Sequence, residues 1–135
     1  MRLAIDASAL VAIVLHEPER DMFLQVLSGA SEIYVSPVSL LEARIAVHRV
    51  GGFEMLLRLD KLLTTEPFTI ALHSAADVDI AWTAFLAYGK GSGSGARLNL
   101  GDLFSYAVAK RWQAPLLYKG DDFSRTDLPA AALPA

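Results

Sequence analysis

Short runs of consecutive apolar residues alternate along the chain with longer stretches whose apolar positions recur every three or four residues. This is the pattern of buried strands separated by amphipathic helices. Residues 2–5 read as a strand and 7–16 as a helix. Pro18 opens a second helix at 19–28, in a first-turn position that proline tolerates. A second strand is expected at 33–36, followed by a helix at 37–50, a break at Gly51 and Gly52, and a further helix at 53–63. There Met55, Leu56, Leu59, Leu62 and Leu63 fall at helical spacing. The pattern continues with a strand at 68–72, a helix at 74–88, a flexible Gly/Ser loop at 89–95, a helix at 101–112, a strand at 115–118 and a tail at 130–135. Strands that are apolar throughout and alternate with helices indicate an α/β fold whose parallel sheet is covered on both faces. In such sheets ligands gather at the carboxyl ends of the strands.

Composition narrows this picture. With 135 residues, 53% hydrophobic and 20% charged, the chain fits one domain with a dense core. Its apolar runs, such as 10–15, are too short to span a bilayer, and no signal-peptide cleavage pattern is visible, so a cytoplasmic protein with no membrane partner is expected. There are no cysteines and only three scattered histidines, which excludes disulfides, thiol nucleophiles and Cys-ligated zinc. Oxygen ligands are then the natural metal chemistry. A net charge of −3 does not suggest a nucleic-acid binder. If four acids serve as metal ligands, however, 12 basic residues face 11 of the 15 acids, and a polyanionic substrate stays open.

Four apolar stretches each carry an acid: Asp6 in LAIDASAL, Glu42 in SLLEARIAV, Asp102 in NLGDLFSYAVA, and Asp121 with Asp122 in LLYKGDDF. Isolated buried carboxylates cost several kcal/mol unless paired or metal-bound. Each acid also has a local explanation. Asp6 can cap the helix that follows it. Glu42 shares an arc with Val38, Ile45, Ala46 and Arg49, and can pair with Arg49. Asp102 can offset the macrodipole of a helix capped by Asn99. Asp121 or Asp122 can be a turn residue or a cap. Each local account explains one residue, whereas a metal centre explains all four stations together. Oxygen donors without His or Cys select Mg²⁺ or Mn²⁺, the ions of phosphodiester hydrolysis.

The ordered set Asp6, Glu42, Asp102 and GDDF, with YGKG at 88–91, LNLGDLFSYAVAK at 98–110, IDASALVAI at the start and PLLYKGDDFSRTDL near the end, resembles a PIN-domain ribonuclease of the VapC toxin type. The resemblance covers essentially the whole chain, as one domain at 1–129 and a tail at 130–135. It implies a three-layer α/β/α fold around a mainly parallel sheet of four or five strands. It further implies a Mg²⁺- or Mn²⁺-dependent endoribonuclease, an RNA substrate, a VapB-like antitoxin and a homodimer. Asp6, Glu42 and Asp102 match the acids that gather the metal. The acid immediately before Phe favours Asp122 as the fourth, with Asp121 as a supporting or alternative ligand.

Several further residues are candidates for substrate or site contacts. Ser8 can hold the Asp6 carboxylate or a water, or simply start its helix. Lys90 and Arg97 flank a Gly/Ser segment that can grip RNA phosphates or serve as a plain linker. Lys119 can offset the acidic pair or touch RNA, or stay solvated. Trp82, Tyr88, Phe104, Tyr106 and Trp112 are assigned mainly to core or dimer packing rather than base stacking. The helices between Pro18 and Leu63 carry enough apolar residues to form a groove for an antitoxin segment. A phosphatase or receiver fits poorly, because Ser8 stands where the former needs a second Asp. A non-catalytic binding module is the other rival.

Overall fold

The computed structural model describes residues 1–134. Strands β1 (Arg2–Ile5), β2 (Glu32–Val35), β3 (Phe68–Ile70) and β4 (Leu116–Leu117) form one sheet in the order β3-β2-β1-β4, and every neighbouring pair is parallel. The helices are α1 (Ala7–Val14), α2 (Arg20–Ser28), α3 (Pro37–Thr65), α4 (Ala75–Tyr88) and α5 (Leu100–Trp112).

Side chains alternate across the pleat. Leu3, Ile5, Ile33, Val35 and Leu117 pack with α1, α2 and α3, while Ala4, Tyr34 and Leu116 pack with α4 and α5. Both faces of the sheet are therefore buried, which is why its strands are apolar without alternation. The result is a three-layer α/β/α fold with β1 in the sheet interior, and the carboxyl end of β1 delivers Asp6 to the rim.

Element boundaries differ from expectation where side chains compete for the backbone. Ser36 leaves the second strand and instead caps α3, its hydroxyl accepting the Val38 N–H at 3.1 Å. Pro18 stands ahead of α2, whose cap is Glu19. The expected break in α3 is a kink at Gly52, whose φ of 63° and ψ of −148° suit glycine. The segment expected to be a tail extends the sheet locally. Ala130 bridges Leu116 in parallel, the Ala131 N–H donates to the Leu116 carbonyl at 2.9 Å, and Ala131 is buried. Of the aromatics assigned to packing, Tyr106 is in the core and Tyr88 and Trp112 pack against it. Trp82 is 59% exposed and stacks on Phe85 at the surface.

Candidate active site

Asp6 is the N-cap of α1 and only 3% exposed. Its Oδ2 accepts the Ser8 N–H at 3.0 Å, and its Oδ1 accepts the hydroxyl of Ser105 at 2.5 Å. Capping and burial thus coexist at one residue. Asp102, 6% exposed, is likewise both cap and cavity acid. The Asn99 side chain accepts the Asp102 N–H at 2.9 Å, and the Asp102 carboxylate accepts the Asn99 N–H at 3.0 Å. This is a reciprocal capping box at the start of α5.

Glu42 projects from α3 into a cleft rather than the core, whose face of that helix is made by Ser39, Leu40, Ala43 and Val47. No ion pair joins it to Arg49 among the described residues. Its carboxylate lies against the backbone of Gly101, where a Cβ would stand 2.7 Å from Oε1 and 2.8 Å from Oε2. Glycine at 101 therefore sets how closely α5 approaches the acid. Asp122 follows a turn at Gly120, whose φ is 96°, and precedes Phe123, which is buried and anchors the segment.

Asp6, Glu42, Asp102 and Asp122 line one cavity of ≈ 390 Å³ together with Ser8 and Lys119. Asp121 lines a different cavity, beside Tyr118 and Ala130. Lys90 and Arg97 are exposed and do not line the acid cavity. Their loop is closed at its base by a bridge between Gly89 and Leu98. The Ser8 hydroxyl holds the chain rather than a carboxylate, accepting the Lys119 N–H at 3.0 Å. Lys119 is engaged by acids outside the quartet, with Nζ 2.8 Å from Glu17 Oε1 and 3.3 Å from Glu19 Oε1. Its charged form is favoured chiefly by the hydrogen bond to Glu17.

The electrostatics follow from this arrangement. Burial is the main influence on Asp102; the Asn99 N–H pulls the other way, but the charges of Asp6, Asp122 and Glu42 add to burial and push its pKa up to about 7. Partial desolvation, and then the charge of Asp6, also raise Glu42. Like charges held together without a cation disfavour ionisation. The donor set is all oxygen, with no histidine lining the cavity. Even so, among the described residues no three His, Cys, Asp or Glu side chains are grouped so as to hold a metal ion. The acids converge on a common space without closing into a cage.

Four participants escaped the sequence reading. Glu17 lines the cavity and Asn99 faces it as well as capping α5. Ser39 and Ser105 are buried beneath it, with their Oγ atoms 2.8 Å apart. The available signal was spacing: Ser39 precedes Glu42 by three residues and Ser105 follows Asp102 by three, each a polar residue on an otherwise apolar helical face.

A second polar chain lies on the α4 side of the sheet. Ser36 Oγ is 2.7 Å from His73 Nε2, and His73 Nδ1 is 3.1 Å from Asp77 Oδ2, which also accepts from Arg111 at 3.0 Å. The order Ser-His-Asp imitates a hydrolytic triad. Ser36 is fully buried and its oxygen is used as a helix cap, so the chain serves the fold.

Residues 3–128 match the family model described as PIN domain. The chain is 39% identical over 140 residues to Ribonuclease VapC30 of Mycobacterium tuberculosis, covering 98% of this chain and 100% of that protein. It is 35% identical over 129 residues to Ribonuclease VapC42 of the same organism, covering 96% and 98%. The chain therefore belongs to the PIN-domain family and, within it, to the VapC ribonucleases. In fold it is similar to Mycobacterium tuberculosis VapC20, described as a sarcin-ricin loop cleaving toxin, with a TM-score of 0.79 at 14% identity over 98% of this chain and 99% of that one. It is also similar to a chain of VapBC2 from Rickettsia felis, solved bound to a promoter DNA fragment, with a TM-score of 0.78 at 19% identity over 99% and 100%.

Proposed function

We propose that the chain is a Mg²⁺-dependent endoribonuclease, with Mn²⁺ able to substitute, that acts as the toxin of a toxin–antitoxin pair. The observation that carries this reading is the convergence of Asp6, Glu42, Asp102 and Asp122, from four separate parts of the chain, on one cavity whose lysine is already engaged by other acids. A scaffold gains nothing from such unpaired like charges, whereas a cation neutralises them. The open arrangement suits Mg²⁺, which keeps several waters and is completed by substrate phosphate. Such an ion, when bound, supplies a Lewis acid and an acidified water for phosphodiester hydrolysis.

Asp6 and Asp102 would hold the ion, their capping bonds fixing the direction of the remaining lone pairs. Glu42 and Asp122, at the open side of the cavity, would complete the donor set and orient water. Asp121 would stay outside it. Asn99 holds Asp102 in place, and Glu17 and Glu19 hold the Lys119 ammonium at the wall, where it would meet a non-bridging phosphate oxygen. The test is cleavage of RNA by the purified chain in EDTA and with Mg²⁺ or Mn²⁺ restored. Activity should require the ion and vanish in Asp6→Ala. Cleavage that persists in EDTA, or in a folded Asp6→Ala, would sink the proposal.

The partner reading is a VapB-like antitoxin. A groove between α1, α2 and the second half of α3 supports it, with a floor of Ile13, Val14, Leu24 and Leu62 and a rim of His16, Arg20, Arg58 and Lys61. That chemistry suits an amphipathic segment carrying acids along one edge. Homodimer formation would use the exposed apolar residues Leu41, Ile45 and Leu100 beside the acid cavity. Light scattering of the isolated chain and of the complex tests both: a strict monomer, or a complex unaffected by Arg58→Glu, would count against them.

A further inference from the structure

We propose that Ser39 and Ser105 form a hydroxyl relay that positions Asp6 for metal binding and locks together the three elements that carry Asp6, Glu42 and Asp102. The inference rests on the reading of these acids given under Proposed function and adds two positioning residues to it. Ser105 Oγ donates to Asp6 Oδ1 at 2.5 Å, and Ser39 Oγ lies 2.8 Å from Ser105 Oγ. Each serine owns a single hydroxyl proton. That of Ser105 goes to the carboxylate, so the proton of Ser39 points to Ser105, and the chain runs in one direction from α3 through α5 to the end of β1. Bonds aligned head to tail polarise one another, and the last of them, to the Asp6 carboxyl oxygen, is the shorter of the two.

All three side chains are buried, so bulk water cannot replace a missing donor. Buried hydroxyls are unfavourable unless bonded, and alanine would fill either serine's place with less desolvation. A helical serine with no other duty usually bonds a carbonyl one turn back. Among the hydrogen bonds of the described residues neither does so; both hydroxyls are spent on the relay. With the Ser8 N–H on Oδ2, both Asp6 oxygens are held from behind, leaving their outward lone pairs directed at the cavity. The spacing of three residues places Ser39 one turn before Glu42 and Ser105 one turn beyond Asp102, so one pair of bonds fixes the separation of all three acids.

The test uses the full chain, stripped of metal, with two readouts: Mn²⁺ affinity from electron paramagnetic resonance of the free ion, and RNA cleavage at varied Mn²⁺. Ser105→Ala should weaken Mn²⁺ binding roughly 10- to 100-fold, the range for outer hydrogen-bond partners of metal ligands. Saturating Mn²⁺ should restore most of kcat. Ser39→Ala should weaken binding several-fold, and the double variant should match Ser105→Ala alone, because Ser39 acts only through Ser105. Ser105→Thr, which keeps the hydroxyl, should stay near wild type. Unchanged Mn²⁺ affinity in folded Ser105→Ala, or effects of the two serines that multiply, overturns the relay. If Ser105→Ala does not fold, Ser39→Ala decides, and unchanged affinity there overturns it equally. Asp6→Asn separates the two levels: Mn²⁺ binding as tight as wild type in that variant defeats the metal reading itself, whereas its loss alongside an unaffected Ser105→Ala defeats only the relay.

Discussion

Asp77 and Asp102 occupy the same local position in two different helices. Each is the third residue of its helix, the carboxylate of each accepts the backbone N–H of its cap residue, Ser74 and Asn99 respectively, and each is almost completely buried. Their acidities nevertheless move in opposite directions. Burial alone would raise Asp77, but the Ser74 N–H, His73 and the Arg111 guanidinium together outweigh it and hold the carboxyl below its usual range. Asp102 has only the Asn99 N–H on that side of the balance, and the neighbouring acids add to burial. One acid is paired through its Oδ2 with basic side chains, whereas the other is kept short of positive charge. Capping therefore explains why an Asp is tolerated at either site, and only the surroundings say which one is left without a counter-charge.

The contrast can be broken most sharply by activity. Asp102→Asn should abolish metal-dependent RNA cleavage, while Asp77→Asn should leave kcat near wild type wherever the variant is folded; equal losses in both would erase the distinction. The next effect is on stability. Asp77→Asn uncouples Arg111 and His73 and should cost roughly 2–3 kcal/mol in denaturant melts. Because the folded pKa of Asp77 is lowered, its contribution is present above the unfolded pKa near 4 and lost only as pH falls through the lower folded value. The loss in Asp77→Asn should thus shrink as pH falls below about 4.

Asp102 carries the opposite sign. Its folded pKa, near 7, lies above the unfolded value, so the metal-free protein should lose stability as pH rises from about 4 to about 7. Asp102→Asn should therefore stabilise the metal-free chain by about 1–3 kcal/mol at pH 8, and the gain should shrink towards pH 4. Melting in EDTA across that range measures it; a variant less stable than wild type at pH 8 would show that the charge is already compensated. Adding Mn²⁺ should raise the melting temperature of wild type and not of Asp102→Asn. The smallest effect expected is that of Gly101→Ala. Its Cβ would press on the Glu42 carboxylate, so activity should fall several-fold with little change in stability, as steady-state kinetics beside a melt would reveal.

Much of this was legible in one dimension. Continuous apolar runs between amphipathic stretches indicated a parallel sheet with two helical layers, because only a sheet buried on both faces lacks alternation. Asp6, Glu42 and Asp102 stood out because each acid interrupts an apolar segment. Less was legible at the element ends, where Ser36 exchanged a strand place for a cap and the residues around Ala130 joined the sheet edge. The hydrogen bonds of Ser8 and Lys119 were not legible, because they join partners more than 100 residues apart in the chain. Lys90 and Arg97 stayed outside the cavity because their loop turns back at the Gly89–Leu98 bridge.

The order of the elements, their layers and the presence of acids within apolar segments were determined by the sequence itself, since they depend on local periodicity and on the chemistry of single side chains. Of those acids the fold buries Asp6 and Asp102 and leaves Glu42, Asp121 and Asp122 exposed. The tertiary structure decided which acids share a cavity and which do not. It put Asp122 among them and Asp121 elsewhere, neutralised Asp77 and left Asp102 strained by its neighbours, and joined Ser39 to Ser105 across 66 positions. The reason is that charge and hydrogen bonding act over a few ångströms of space, and distance along the chain carries no record of which groups folding will bring that close.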